Sequence, residues 1–363
     1  MARLRRRVVL FACGALLVMA VLPAVNLAQR GAPGPSASEL FDTGFAWPAL
    51  SGALRRAGIS TRPQQVVVGK SGWLFLGDQY AEAISAKRRA ADAGDRAAAV
   101  RARTAAQSWA HWLRARGVAD WHVLVCADKD GLYADLLPDW ARPAPIAPID
   151  AALQAAAPGI VVDSRPALRG ARALAGPALY LRTDSHWTAR GAWIAYRALA
   201  QADAGTSAWL TDVDVRFVAT RTPSGDLARM LAVSDPEGDS DAGAVFLQAR
   251  EAQRTLADAT TARPLNASAL AGVEAPTHPL LIRSPQALNA RRLLWLRDSF
   301  GAALLPYIAA TFVEVVEVDR ESTTPAQLAG LVRRFRPDSV LVSVVERNAR
   351  APWFEAPPPA SAE

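Results

Sequence analysis

Cysteine is almost missing from this chain: 363 residues contain two, Cys13 and Cys126, and only four histidines. Cys13 falls in an apolar N-terminal run and Cys126 is the sole cysteine after that run, so no disulfide framework is predicted and the fold has to rest on its core. A 51% hydrophobic content is ample for that. So few histidines and cysteines complete no familiar ligand spacing, hence no metal and no cofactor is expected. A basic stripe interleaved with aromatics is missing too. The formal charge is +7, but Arg3, Arg5, Arg6 and Arg7 supply four of the seven, which makes nucleic acid an unexpected partner.

What the N-terminus does have is Val8–Ala28, 21 residues without a charged side chain. That length crosses the roughly 30 Å hydrocarbon core as a helix. Arginines just before it place the N-terminus in the cytoplasm and export the rest, predicting an exported domain held by an uncleaved membrane anchor. A cleaved signal peptide is the alternative, though Asn26-Leu27-Ala28 is a poor cleavage site.

Composition then divides the chain. Residues 1–29 form the Arg-rich start and anchor, 30–59 a Gly/Pro/Ser-rich tether and a helix, 60–350 the main domain, and 351–363 a Pro/Ala-rich tail. Val66 to Leu76 gives a hairpin signal around a Gly-bearing turn, and Ala81–Arg116 is amphipathic helix. Strands are predicted at His122–Ala127, Ile160–Asp163, Leu179–Arg182, Arg292–Leu296, Val313–Val318 and Val340–Val345, with helices between several of them. The alternation predicts an α/β domain with a mostly parallel sheet and helices on both faces. Asp212–Ser284 breaks it and reads as an insertion, a lid or side wall.

Two distant segments carry the chemistry. In Asp184-Ser185-His186-Trp187, at the end of a predicted strand, residues two apart share a side, so Asp184 can hydrogen-bond the His186 ring and leave its other nitrogen to accept a proton. In Asp298-Ser299-Phe300, Ser299 stands at a strand-to-helix turn where its hydroxyl is exposed and its N–H faces a developing oxyanion. Ser299 also reads as a helix cap, and Asp-x-His as a structural pair. Ligands of such sheets bind beyond the carboxyl ends of the strands, where all three residues fall.

These segments, with Gly69-Lys70-Ser71-Gly72-Trp73-Leu74-Phe75-Leu76, Asp128-Lys129 with Tyr133, Gly225-Asp226-Leu227 and Val345-Glu346-Arg347, resemble in order the SGNH-hydrolase-like domain of alginate O-acetyltransferases of the AlgX/AlgJ type, over roughly residues 60–350. The resemblance implies a periplasmic α/β domain that O-acetylates an exopolysaccharide, with a triad of Asp184, His186 and Ser299. It also implies a membrane-bound O-acyltransferase partner that supplies acetyl groups, since cytosolic acetyl-CoA is out of reach of an exported enzyme. Lys129, Tyr133, Trp187 and Arg347 are candidates for lining the substrate cleft. Trp187 and Tyr133 also read as packing and Lys129 as a solvent-facing charge. Two other functions stay open: a deacetylase or esterase using the same triad, and a non-catalytic glycan-binding subunit of an export complex. The second gains if Ser299 and His186 lie more than about 6 Å apart.

Overall fold

Alternation within the central strands builds two apolar layers from one sheet. Leu124 and Cys126, with Leu293 and Trp295, point into one core; Val123 and Val125, with Leu294 and Leu296, point into the other. In the computed structural model, residues 47–174, 178–203, 208–233, 238–248, 254–266 and 274–360 are described, with residue 250 and scattered positions between 16 and 44.

The elements in chain order are α1 (Trp47–Arg56), β1 (Val66–Val68), β2 (Leu74–Leu76), α2 (Ser85–Arg88), α3 (Ala93–Arg114), β3 (Asp120–Cys126), α4 (Lys129–Leu132), α5 (Pro148–Gln154), β4 (Val161–Asp163), α6 (Arg165–Ala173) and α7 (Ala189–Ala202). Next come β5 (Val215–Thr222), α8 (Asp226–Met230), β6 (Asp239–Phe246), β7 (Thr255–Asp258), β8 (Pro264–Leu265), β9 (Leu280–Arg283), β10 (Asn289–Arg297), α9 (Gly301–Thr311), β11 (Phe312–Asp319), α10 (Pro325–Phe335) and β12 (Ser339–Val345).

The eight-stranded sheet runs β4-β3-β12-β10-β11-β9-β7-β8. Its first five strands are parallel, but β9, β7 and β8 join antiparallel, so the sheet is mixed where a mostly parallel one was expected. The expected insertion splits accordingly. β5 and β6 form a separate hairpin, while Leu280, Leu281 and Ile282 of β9 are buried and extend the main sheet instead of standing off as a lid. Helices α7 and α9 cover one face; α3 and α10 cover the other. Ala351–Ala356 is docked rather than loose: the Trp109 indole donates to Ala356 O at 3.0 Å and the Trp353 indole to Thr323 O at 2.8 Å.

Leu179–Arg182 is not a sheet strand. Tyr180 bridges only Trp187, and Leu181 N donates to His186 O at 3.2 Å, so the segment folds back on itself as a tight loop. Most of the anchor expected at 8–28 lies outside the described residues. Among the described residues no helix is long and apolar enough to cross a membrane.

Strands β3, β12 and β10 are neighbours in parallel, so their carboxyl ends deliver Asp128-Lys129, Glu346-Arg347 and Asp298-Ser299 to one rim. That is where open α/β sheets take ligands.

Candidate active site

Ser299 stands just past the end of β10, and the adjacent Phe300 caps α9. Asp298 shapes the turn: its buried carboxylate accepts Phe300 N at 3.0 Å and Val345 N at 2.6 Å. Burial pushes its pKa up, against these N–H groups and the nearby Arg347. The Ser299 N–H has no acceptor among the described residues, which leaves it available to a developing negative charge. Gly301 is required by close packing, because a Cβ there would lie 2.4 Å from Arg297 Cδ.

The other segment approaches from the far side of the rim. His186 Nε2 lies 3.0 Å from Ser299 Oγ, and His186 Nδ1 lies 2.7 Å from Asp184 Oδ1. With Nδ1–H donated to the carboxylate, Nε2 keeps its lone pair for the serine proton. Asp184 reaches the ring from a turn rather than a strand, since its Oδ1 also accepts His186 N at 3.0 Å. Burial disfavours the Asp184 carboxylate, but His186 and the Asp226 N–H hold it well below the usual carboxylate range. Trp187 ties the two segments together. Its indole donates to Phe300 O at 3.1 Å and its ring meets the Phe300 ring edge-on at 5.1 Å.

The loop is gripped from three sides. Asp239, itself buried, accepts from Thr183 N at 2.9 Å and from the Thr183 hydroxyl at 2.6 Å. Asp226 accepts from Ser185 N at 2.7 Å and from the Ser185 hydroxyl at 2.5 Å, while its own N–H donates to Asp184 Oδ2 at 2.9 Å. Lys129 takes the loop's carbonyls, Arg182 O and Asp184 O, both at 2.9 Å. Helix α8 can place Asp226 there because Leu227 and Ala228 pack on β1 and β2, and because position 225 is glycine: a Cβ would stand 2.3 Å from Asp184 Cβ.

The remaining candidates divide. Arg347 lines a cleft of about 320 Å³ together with Ser299, its guanidinium held by Asp128 at 2.5 Å and lying 5.7 Å from the Phe300 ring. Lys129, Tyr133 and Trp187 do not line it. Lys129 is buried with its head on backbone carbonyls. Tyr133 is stacked on Trp73 at 4.4 Å, covered on another side by Arg172, and accepts Leu179 N at 3.1 Å. Trp187, 2% exposed, offers no face to a sugar. In each case packing or hydrogen bonding has used the group a substrate would need. Asp226 and Asp239 were missed as loop braces; the Gly225-Asp226-Leu227 motif signalled the first, and nothing in the sequence signalled the second.

Ligand atoms of Asp184, His186 and Asp226 lie within 4.8 Å of one another, a spacing that suits a cation. Those atoms are already engaged: Asp226 with Ser185 and Leu227, and Asp184 with His186 and Asp226 N. The donor set is therefore that of a hydrogen-bonded relay.

The family model described as SGNH hydrolase-like domain, acetyltransferase AlgX matches residues 66–270, more than half of the chain. The chain belongs to this AlgX-type acetyltransferase family. Asp184, His186 and Asp226 fall within the stretch matching the AlgX-type domain, whereas Ser299 and Arg347 lie beyond it. Solved structures with a similar fold include PatB1 of Bacillus cereus, 14% identical with a TM-score of 0.60 over 80% of this chain and 97% of that one. A DHHW family protein of Eubacterium siraeum DSM 15702 is 15% identical, with a TM-score of 0.56 over 84% and 98% of the two chains. The O-acetyltransferase domain of Pseudomonas putida AlgJ is 20% identical, with a TM-score of 0.45 over 79% and 92%. No curated protein matches the chain.

Proposed function

We propose that this protein is an O-acetyltransferase acting on an exopolysaccharide, alginate or a similar polymer, through an acetyl-enzyme on Ser299. The relay from Asp184 through His186 to Ser299, at 2.7 and 3.0 Å, carries the reading. Ser299 Oγ attacks the acetyl carbonyl as its proton passes to His186 Nε2, and Asp184 stabilises the imidazolium through Nδ1–H. The Ser299 N–H holds the oxyanion, a contribution of about 3–4 kcal/mol. Collapse of that intermediate expels the donor's leaving group, which takes the proton from His186. A sugar hydroxyl then gives its proton to His186 and attacks the acetyl carbon, and collapse of this second intermediate breaks the bond to Ser299 Oγ, which takes the proton back from His186. Arg347, beside the nucleophile, orients substrate.

The same reading puts the domain in the periplasm, held at the inner membrane by residues 8–28 beside a membrane-bound O-acyltransferase that passes acetyl groups outward. Severing the tether at Arg30 tests the need for proximity, because undiminished acetylation would remove it. The decisive variant is Ser299→Ala, expected to fold normally and leave the polymer unacetylated; wild-type acetyl content in that variant would end the proposal. Hydrolysis is the second reading, favoured by the cleft of about 320 Å³ at Ser299, a volume that admits water. Comparing acetate release with acetylated oligosaccharide, product for product, decides between them.

A further inference from the structure

Lys129 is a buried cation that the proposed chemistry does not use. It opens α4 just past the carboxyl end of β3, and 4% of its surface is exposed. Its Nζ lies 2.6 Å from Leu74 O, 2.9 Å from Arg182 O and 2.9 Å from Asp184 O. An ammonium has three N–H donors and no lone pair, so three carbonyls match its protonated head and leave no donor for a substrate oxygen. The rings of Trp73 and Phe75 stand 5.0 and 5.4 Å from Nζ and help close the pocket. Two of the three carbonyls flank Thr183 in the loop that carries Asp184 and His186; the third belongs to β2.

We propose that Lys129 is a positioning residue whose protonated head pins the Arg182 and Asp184 carbonyls to β2 and so keeps His186 in line with Ser299. The inference deepens the serine-relay reading and rests on it. The loop's N–H groups are fixed by the carboxylates of Asp226 and Asp239, while its carbonyls at 182 and 184 converge on the one ammonium; Arg182 O also accepts Leu74 N at 3.0 Å, so Asp184 O is the carbonyl that leans on Lys129 most. Fixing Asp184 O sets the peptide plane just ahead of Ser185 and thus the direction in which the imidazole leaves the chain. A neutral amine has two donors, and its lone pair would face a carbonyl, so one of the three contacts turns repulsive.

The charged groups around Nζ are Asp239 on β6, Asp226 on α8, and Asp184 and Arg182 in the loop. Asp128 and Asp130, its neighbours in sequence, are held by Lys87, with Arg347 also on Asp128. Burial outweighs the three facing carboxylates and pushes the Lys129 pKa down to about 7. The clamp therefore weakens as pH rises through neutrality, and turnover falls with it.

The test uses the full chain and 4-nitrophenyl acetate as acetyl donor, with kcat and KM followed against pH, and amide NMR signals of Ser185 and His186 followed in parallel. The wild type should show an alkaline limb in kcat near pH 7 with KM nearly flat. Lys129→Gln keeps two donors and does not titrate, so kcat should fall about tenfold with the limb gone, and Lys129→Met, with no donor, about a hundredfold. The two amides should shift with the same midpoint in the wild type and in Ser299→Ala, and not in Lys129→Gln. A folded Lys129→Gln protein with kcat within about twofold of wild type, or with the limb intact, overturns the proposal, as does an amide pair that does not move between about pH 6 and 9. Should Lys129→Met fail to fold, the glutamine variant and the wild-type titration decide. Full turnover in Ser299→Ala would remove the serine reading while the amide titration still judges the clamp; an inactive Ser299→Ala beside a fully active Lys129→Gln would remove the clamp alone.

Discussion

Ser299 and the Asp184–His186 pair meet at one rim but are held there by different forces. The serine turn is the continuation of regular structure, between a strand paired on both sides and a helix whose residues from Leu304 to Thr311 are almost all buried. The acid–base loop has one bridge of regular pairing, Tyr180 to Trp187, and a few backbone bonds such as Leu74 N to Arg182 O and Ala228 N to Thr183 O; its other braces are side chains from elsewhere, Lys129, Asp226 and Asp239. The serine end is therefore fixed by regular structure and burial, with one buried carboxylate, Asp298, bracing Phe300 N and Val345 N. The histidine end is fixed by charge-assisted hydrogen bonds, stronger individually and sensitive to protonation.

The sharpest break of this comparison acts on the loop. Asp184→Asn keeps the shape but replaces the acceptor for Nδ1–H, so kcat should fall by about 10⁴-fold with the melting temperature little changed. A loss under about tenfold would mean that the carboxylate does not set the ring. Gly225→Ala comes next. Its Cβ would meet Asp184 at 2.3 Å, and the resulting displacement of the acid–base pair should cost about 10²-fold in kcat. Unchanged kinetics in the folded variant would show that the loop can yield.

On the serine side the expected loss is in stability. Asp298→Ala strands two buried N–H groups, Phe300 N and Val345 N, and should cost about 2–4 kcal/mol in denaturant unfolding, with activity falling only as far as the turn loosens. A neutral result would mean the turn is held by packing alone. The last effect is one of pH. The Lys129 pKa is about 7 in the fold against an ordinary 10.5, so between those values the unfolded chain binds a proton that the folded chain does not. Stability contributed by this group thus rises with pH from about 7 to 10, opposite to the activity. Comparing urea midpoints of wild type and Lys129→Met across that range should show the rise vanish in the variant.

Legibility in the sequence divides along the same line. The strands of the parallel half and the helices between them are readable because each buried element repeats its pattern locally, from His122 through Val345. The antiparallel edge is not, since Leu256 and Ile282 find their places through partners far along the chain. Leu179–Arg182 mimics a strand because its apolar residues serve a loop core rather than a ladder. Lys129, Tyr133 and Trp187 carry groups that suit a substrate, yet their polar atoms all end on backbone groups, a choice no spacing encodes.

By itself the sequence determined which residue types were available: an Asp-Ser-His-Trp segment, an Asp-Ser-Phe segment after a buried strand, and apolar periodicities that dictate strand and helix. The tertiary structure decided the rest. Whether a hydroxyl lies 3.0 Å from an imidazole 113 positions away depends on strand order and on three carboxylates and one ammonium gathered from separate elements. Local interactions choose secondary structure, but an in-line proton relay needs ångström placement, and only the packing of the whole domain supplies it.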